Sequence, residues 1–131
     1  MIEGIGIDIV SVERMRLLCN RHGERIVDDL FSAREIGTLQ LSRTSRVIDN
    51  KTAQRLAVIF AAKEAAVKAI GLPVDIPFLW CEIEIFGNDR INVIVTDQIE
   101  ECARESGIVS LTGCTTYSLT HCMAIVIGES D

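Results

Sequence analysis

Two stretches of the chain carry acidic and basic side chains next to unusually small residues. The first, IEGIGIDIVSVERM (residues 2–15), places Asp8 in an apolar strand pattern that contains two glycines. The second, residues 52–71, places Glu64 and two lysines in an alanine-rich helix pattern. Two carboxylates from different elements suit a shared Mg²⁺ ion, and lysines beside them neutralise phosphate oxygens. The two stretches therefore supply candidates for a site that holds a metal-bound pyrophosphate.

The first strand must hold its acid on one of two faces, because successive side chains of a strand alternate. One face carries Gly4, Gly6, Asp8 and Val10. The other carries three isoleucines, which we expect to face the core: Ile5, Ile7 and Ile9. Glycine inside a strand often marks close approach by a ligand or another backbone, which would leave room beside the acid. In the alternative interpretation, Asp8 only ends the strand or bonds a neighbouring backbone amide.

The second stretch predicts the longest helix of the chain, since alanine is the best helix former. Asp49 or Asn50 is suited to cap its start, and Gly71, followed by Pro73, to close it. One side of this helix reads as core, at a spacing of three to four residues: Leu56, Phe60, Val67 and Ile70.

A second side of the same helix combines small residues with charge. Its members lie within about 60° of one another at 100° per residue: Ala57, Ala61, Glu64 and Lys68. Lys63 lies beside them. The alternative is that Glu64 and Lys68 form an ordinary surface ion pair four residues apart, which stabilises a helix by only a few tenths of a kcal/mol.

The other elements predict an α+β fold in which helices lie against a largely antiparallel sheet. A helix is expected at residues 11–22, ended or interrupted by Gly23, and a capping box at Ser32 and Glu35 predicts another helix at 33–41. The remaining expectations are a continuation of the first helix at 25–31, a loop at 42–51, a hairpin at 80–96, a helix at 97–106, and strands at 115–120 and 123–127 around a corner at 121–122.

Composition limits the classes of protein to consider. A chain of 131 residues with 48% hydrophobic and 24% charged residues is expected to form one domain with a sizeable core. The net charge of −6 argues against general nucleic-acid binding. Five scattered cysteines without a CxxC pair favour reduced thiols. With no long apolar run and no leader pattern, we expect a cytoplasmic protein without membrane contact.

The two charged stretches resemble signature motifs of one enzyme family. GIGIDIVSVERM (residues 4–15) and FAAKEAAVKAIG (residues 60–71) are similar to the two signatures of the holo-acyl-carrier-protein synthases, within the 4′-phosphopantetheinyl transferase superfamily, and occur in the family's order. FSAREI (residues 31–36) and YSLTHC (residues 117–122) are weaker matches. The resemblance spans nearly the whole chain and implies a 4′-phosphopantetheinyl transferase-like fold at residues 1–131.

The resemblance implies a specific reaction. Such enzymes transfer the 4′-phosphopantetheine arm of coenzyme A (CoA), the co-substrate, to a serine of an apo acyl carrier protein in fatty-acid or related biosynthesis. They require Mg²⁺ and release adenosine 3′,5′-bisphosphate. The resemblance also implies a homotrimer with active sites at the subunit boundaries.

Individual residues take roles from their positions in the matched motifs. Asp8 and Glu64 match the metal-binding carboxylates and, with Lys68, the catalytic group; Glu64, directly or through a water that it orients, is the candidate acceptor of the serine proton. The residues that match contacts to CoA are Lys63, Lys68, Gly71 and His121. For His121, a turn residue without a ligand remains an equal alternative.

Three arginines predict a surface that binds the carrier protein. Arg14, Arg21 and Arg25 fall within about 40° of one another if the first helix continues through Gly23. Arg14 matches a family arginine that contacts the strongly acidic carrier, so the group could steer docking. The alternative is a solvated helix face.

Several positions depart from the family pattern. Ile59 replaces a common arginine, Gly71-Leu72-Pro73 replaces a glycine-rich loop, and Gly87-Asn88-Asp89-Arg90 replaces the usual turn of the hairpin. The corner after His121 is also shorter. Ile59 and the altered glycine loop favour the second hypothesis, a non-catalytic module that binds a carrier protein or CoA, whereas the presence of Asp8, Glu64 and Lys68 favours the enzyme. A Cys–His hydrolase has little support, because His121 and Cys122 would point to opposite faces of a strand.

Overall fold

The computed structural model describes residues 1–39 and 47–131. In these residues, five strands form one antiparallel sheet, and five α-helices accompany it. The strands are β1 (Ile2–Ser11), β2 (Ile83–Gly87), β3 (Arg90–Val95), β4 (Ser110–Tyr117) and β5 (His121–Glu129). They lie side by side in the order β1-β5-β4-β3-β2, and every neighbouring pair is antiparallel. The first and last strands therefore pair with each other at one edge of the sheet.

The helices follow the local signals of the sequence. They are α1 (Val12–His22), α2 (Glu24–Leu30), α3 (Ala33–Thr38), α4 (Asn50–Ile70) and α5 (Asp97–Glu105). A short 3₁₀ turn at Trp80–Glu82 precedes β2. The loop expected at residues 42–51, and the end of the helix expected near residue 41, lie partly outside the described residues.

Capping explains where these helices begin and end. The Ser11 hydroxyl accepts from the Arg14 amide at 3.2 Å, and both halves of the capping box at Ser32 and Glu35 are formed. Asp49 accepts from the Thr52 amide at 2.8 Å at the start of α4. At the other end of α4, Gly71 has φ 72°, a left-handed conformation that glycine adopts without strain.

The assignment of the two faces of β1 was wrong. The three isoleucines face away from the core: Ile5, Ile7 and Ile9 are 57%, 50% and 61% exposed. The glycine face is the inner one, because the backbone of α4 packs directly on it. A Cβ atom built on Gly6 would overlap the carbonyl oxygen of Ala65, and one built on Gly4 would overlap that of Ala69. The glycines therefore admit a helix rather than a ligand.

The C-terminal hairpin also differs from the expectation. β4 begins before its predicted limit and ends three residues short of the other, whereas β5 extends beyond both of its predicted limits. The corner placed at residues 121–122 does not exist. The turn instead contains Ser118, whose hydroxyl accepts from the amides of Thr120 and His121 at 3.2 and 3.1 Å. Because these local bonds complete the turn, His121 is already the first residue of β5.

The core lies between the inner face of the sheet and α4. Small alanines of α4 are completely buried there, including Ala61 and Ala65, and this allows the helix to lie close to the strands. A second apolar cluster joins α4 to α1, α2 and α3. In the two described ranges, no helix combines the length and the apolar character needed to cross a membrane.

Candidate active site

The close contact of β1 and α4 brings the two predicted acids together. Asp8 lies on the inner face of β1, two residues beyond Gly6, and Glu64 lies on α4 next to Ala65. Lys68 of α4 donates to Asp8 Oδ1 at 2.8 Å and to the carbonyl oxygen of Ile7 at 2.9 Å. The Asp8 side chain is 12% exposed and that of Lys68 53% exposed. The three charged groups therefore meet at the surface, with the ammonium accessible from solvent.

The pKa values of this cluster report the same proximity. Burial raises the pKa of Glu64 above its usual 4.5, and the neighbouring Asp8 raises it further through its charge and a side-chain hydrogen bond. The Lys68 charge opposes that increase. The hydrogen bond to Asp8 is the main cause of the raised pKa of Lys68. Two carboxylates within hydrogen-bonding reach compete for one counter-charge, so a divalent cation would relieve their repulsion.

The donor set fits Mg²⁺ better than a transition metal. Within residues 1–39 and 47–131, no three His, Cys, Asp or Glu residues come together as a metal cluster. A pair of carboxylates is nevertheless the usual protein contribution to Mg²⁺, which keeps waters and substrate phosphate as its other ligands. Asp8 and Glu64 supply oxygen ligands of this kind, and the exposed Lys68 ammonium is suited to contact a phosphate oxygen.

Lys63 lies in the interior instead of facing a phosphate. Its ammonium is fully buried and makes three contacts: Glu35 Oε1 at 2.7 Å and the carbonyl oxygens of Leu30 and Trp80 at 2.9 and 3.1 Å. Burial lowers the pKa of Lys63, and Glu35 counteracts that effect. In this position Lys63 has no exposed surface for CoA, so its expected phosphate contact has no structural support.

Glu35 was not among the candidate residues. Its carboxylate accepts from the amides of Ser32 at 2.8 Å and Ile85 at 3.0 Å in addition to its contact with Lys63. The capping box revealed the Ser32 contact, since that contact is local in sequence. The contacts with Lys63 and Ile85 join distant segments, and no spacing rule indicates them.

Gly71 and His121 lie in different surroundings. The Gly71 amide donates to the carbonyl oxygens of Val67 and Lys68 at 3.1 and 3.2 Å, so it is already used in closing α4. His121 is exposed, and its Nδ1 atom is 3.0 Å from Thr120 Oγ1. Burial alternates along β5, which assigns His121 to the outer face of the sheet. Asp8 lies on the inner face, so a single chain does not bring His121 to the acid pair.

The three arginines are all exposed but do not share one helix. Gly23, with φ 66° and ψ −152°, separates α1 from α2. Arg14 and Arg21 remain on one side of α1, whereas Arg25 belongs to α2. The condition for their alignment, a helix that continues through Gly23, is therefore not met, and the expected end of the first helix at Gly23 is confirmed. The exposed Leu17 lies between Arg14 and Arg21 on the same side.

Comparison with known proteins decides the family. The family model for the 4′-phosphopantetheinyl transferase superfamily matches residues 4–122. The chain belongs to this superfamily. A superfamily member from Polaromonas sp., a holo-[acyl-carrier-protein] synthase, is 34% identical over 128 residues, which cover 94% of this chain and 96% of that protein. The resemblance drawn from the two signature motifs is therefore confirmed.

Solved structures of the superfamily confirm the expected α+β fold. The holo-[acyl-carrier-protein] synthase from Neisseria meningitidis has a TM-score of 0.76 at 27% identity. The match covers 99% of this chain and 100% of that protein. The synthase from Helicobacter pylori, solved in complex with coenzyme A, has a TM-score of 0.75 at 22% identity and covers 95% of this chain and 99% of its own. The whole described fold thus corresponds to that of the superfamily.

Proposed function

We propose that this protein transfers the 4′-phosphopantetheine arm of CoA to a serine of an apo acyl carrier protein, and releases adenosine 3′,5′-bisphosphate. The observation that carries the proposal is the meeting of Asp8, Glu64 and Lys68 where β1 contacts α4. A phosphoryl transfer needs its charged groups positioned and their charge neutralised, and this cluster offers both. The curated relative from Polaromonas sp. bears the name of an enzyme of this activity.

Each residue of the cluster has a distinct role in this proposal. Asp8 and Glu64 would hold Mg²⁺, which supplies charge stabilisation at the pyrophosphate when bound. Lys68 donates to a phosphate oxygen through the exposed part of its ammonium. Glu64, directly or through a water that it orients, is also the candidate acceptor of the serine proton. Gly71 ends α4 one turn after Lys68 and leaves space for the donor beside that turn.

The arginines of α1 and α2 are proposed to bind the carrier protein. Arg14 and Arg21 flank the exposed Leu17, and Arg25 follows on α2, so cationic groups surround an apolar side chain. An acidic partner that presents an apolar side chain would match this surface in both charge and polarity. The net charge of the whole chain is −6, which makes the local cationic patch a means of orienting the partner.

We further propose that the protein is a homotrimer whose sites lie at subunit boundaries. The outer face of the sheet supports this, because three isoleucines of β1 are at least half exposed and adjoin partly exposed apolar residues of β5. An apolar sheet face of this kind commonly marks an interface. His121 lies on the same outer face. A CoA molecule bound at the acid pair of one copy would therefore contact the His121 of another copy.

Two further expectations stay proposals. The first is that residues 1–131 form a single transferase domain, which is supported by the pairing of β1 with β5 from opposite ends of the chain. The second is a cytoplasmic location. All five cysteines are free, and burial raises the pKa values of Cys19 and Cys122 to about 11, so these two thiols stay protonated and unreactive. Free thiols are typical of reducing compartments.

The second candidate is a binding module without transferase activity. Ile59 in place of an arginine, and Pro73 in place of a loop residue with an amide donor, favour it. The two candidates differ in one measurable product. Incubation with CoA, Mg²⁺ and several apo carrier proteins, followed by mass spectrometry of each carrier, is expected to show one added phosphopantetheine arm. Carriers that bind but never gain mass would favour the binding module.

A further inference from the structure

Lys63 is a buried cation of α4 to which the proposed reaction gives no role. Its ammonium donates to the carbonyl oxygens of Leu30 and Trp80, at 2.9 and 3.1 Å. It also lies 2.7 Å from Glu35 Oε1, in a pair whose side chains are 0% and 1% exposed. These three acceptors match the three N–H donors of an ammonium. Well-packed apolar residues often replace a buried ion pair without loss of stability, so stability alone does not account for this one.

The contact between Lys63 and Leu30 joins α4 to the end of α2. Leu30 is the last residue of α2, and the carbonyl groups in the last turn of a helix have no partner inside the helix. Lys63 supplies the missing donor together with a positive charge, which is favourable at the C-terminal end of a helix. Within residues 1–39 and 47–131, no other hydrogen bond joins α2 to α4.

α2 depends on tertiary contacts for its position. It has seven residues, and helices this short are not stable alone in water. Gly23 separates it from α1, and only two of its side chains are buried, those of Val27 and Leu30. Burial of apolar side chains is not directional, whereas a hydrogen bond from a charged donor fixes both a distance and a direction. Lys63 therefore sets where α2 ends relative to α4.

Glu35 supplies the counter-charge that keeps this ammonium in place. Its carboxylate also accepts from the amides of Ser32 and Ile85, at 2.8 and 3.0 Å, so its own position is fixed by the start of α3 and by β2. Among the described residues, no buried side-chain oxygen or nitrogen atom lacks a hydrogen-bond partner. A fully satisfied polar network in the interior is rigid. Lys63 and Glu35 thus form a rigid link between α2, α3 and α4.

This link begins beside the acid pair and ends on a helix of the proposed carrier-binding surface. Glu64 follows Lys63 directly in the sequence, and α2 carries Arg25. The serine of a docked carrier must come within hydrogen-bonding reach of the group that accepts its proton. A displacement of about 1 Å from such a position can cost roughly 100-fold in rate. The placement of α2 relative to Glu64 therefore affects the rate of the reaction as well as carrier binding.

We propose that Lys63 is a positioning residue, which fixes α2 relative to Glu64 through its bond to Leu30 and so aligns the serine of the docked carrier with the acid pair. This inference rests on the proposed transferase function and on the proposed carrier-binding surface of α1 and α2. It assigns the effect on rate to the contact with Leu30, and an effect on stability to the charge of Glu35. Different substitutions separate the two effects.

The test compares a variant that keeps the contact with Leu30 and a variant that removes it. Glu35→Gln retains the amine of Lys63 and its donor to Leu30, whereas the double variant Lys63→Met/Glu35→Gln removes that donor together with both charges. Ile99→Ala is the control for lost stability, because Ile99 is fully buried on α5 and its truncation leaves a cavity away from the link. Urea unfolding gives the stability of each variant.

The kinetic measurements are kcat and KM for the apo carrier protein at saturating CoA and Mg²⁺, expressed per folded molecule. For the double variant we expect kcat to fall roughly 10- to 100-fold, with KM for the carrier nearly unchanged, because docking persists but the serine is misaligned. Glu35→Gln should retain most of the natural kcat although it is less stable than the natural protein. Ile99→Ala should have the natural kcat.

Two kinetic results would overturn the inference. One is a natural kcat in the double variant; the other is an equal fall of kcat in Glu35→Gln or Ile99→Ala, which lost stability alone would explain. If the natural protein transfers nothing, the proposed function fails, and amide hydrogen exchange still decides the link. The amides of residues 28–31 should exchange roughly tenfold faster in the double variant than in Glu35→Gln, as for the loss of a charge-assisted hydrogen bond. Equal exchange in the two variants would refute the link.

Discussion

Lys68 donates to Asp8 Oδ1 at 2.8 Å across 60 residues of sequence. This contact exists because the glycines of β1 let the backbone of α4 lie directly on the strand. The exposed ammonium therefore depends on Asp8 for its orientation. We expect Lys68→Ala to lower kcat/KM for transfer by roughly 10²- to 10³-fold, as for the loss of one preorganised donor to developing charge. Lys68→Arg should retain part of the activity, and an unchanged rate in Lys68→Ala would contradict the role given to the ammonium.

The glycine face of β1 gives a prediction about stability and the site together. Gly6→Ala introduces a Cβ atom that overlaps the carbonyl oxygen of Ala65, so α4 must move away from the strand. We expect a loss of about 1–3 kcal/mol in the free energy of unfolding, measured in urea, and weaker Mg²⁺ binding. Gly37→Ala is the matched control.

The control has the opposite expectation for a physical reason. Gly37 lies inside α3, and a Cβ atom built on it meets no atom within 4 Å. Replacement of a helical glycine by alanine at such a position stabilises a protein by roughly 0.4–1 kcal/mol. If Gly6→Ala were as stable as Gly37→Ala, the close packing of α4 on β1 would be refuted.

The face of β1 also shows how far the sequence alone can lead. Alternation separated the isoleucines from Gly4, Gly6 and Asp8, but alternation does not tell which face is inner. The hydrophobicity of the isoleucines favoured the prediction that their face lies against the core. The inner face was instead the one with the two glycines, because the backbone of α4 packs against them. That choice depends on α4, which is distant in sequence.

Local signals were more reliable than long-range ones. Ser11, Ser32, Asp49 and Gly71 act within one turn of themselves, and the helix limits that they predicted are close to those observed. The acid pair was found because its residues occur in recognisable motifs. The burial of Lys63 was missed because its partner Glu35 is 28 residues away, and an isolated lysine in a charged motif gives no sign of an internal partner.

The buried pair of Lys63 and Glu35 should be important for stability. Lys63→Met leaves the Glu35 carboxylate buried without its counter-charge, so we expect a loss of about 3–5 kcal/mol in the free energy of unfolding. Adding Glu35→Gln removes that charge but keeps an acceptor for the Ile85 amide, and should recover part of the loss. Urea unfolding of both variants measures this. If Lys63→Met alone were as stable as the natural protein, the pair would not be needed for stability.

The raised pKa of Glu64 predicts how Mg²⁺ binding depends on pH. Burial is the main cause of the increase and the Asp8 charge adds to it, so Glu64 takes up a proton at a higher pH than an ordinary glutamate. Mg²⁺ requires the ionised form, so its affinity should fall roughly tenfold per pH unit once the pH is below that pKa. Calorimetric titration over a pH series measures the slope. A constant affinity down to pH 4.5, the usual glutamate value, would contradict the shift.

The same shift has a consequence for folding in the presence of a chelator. A pKa raised in the folded state contributes stability below the unfolded value, which is lost as the pH rises through the folded value. Glu64→Gln does not lose stability in this way, because glutamine does not ionise. It should therefore be more stable than the natural protein at neutral pH in EDTA, and the difference should shrink as the pH falls. An equal pH dependence of the two proteins would contradict a raised pKa.

The exposed isoleucines predict the effect of a charge on assembly. Ile5→Lys places an ammonium on the outer face of β1, so the proposed trimer should dissociate to monomers that keep their fold. Val74→Lys is the control, since Val74 is a fully exposed apolar residue outside the sheet. Analytical ultracentrifugation and circular dichroism measure the two properties. An Ile5→Lys variant that sediments like the natural protein would exclude this face as the interface.

The central claim is that Asp8 and Glu64 act together with a divalent ion in arm transfer. Its most direct test is the mass of one apo carrier protein after incubation with CoA and either Mg²⁺ or EDTA, using the natural protein, Asp8→Ala, Glu64→Ala and, as an exposed acidic control on α5, Glu105→Ala. We predict one added arm with the natural protein and Glu105→Ala in Mg²⁺, none in EDTA, and a rate reduced at least roughly 100-fold in the other two variants. Full transfer by Asp8→Ala or Glu64→Ala would contradict the account.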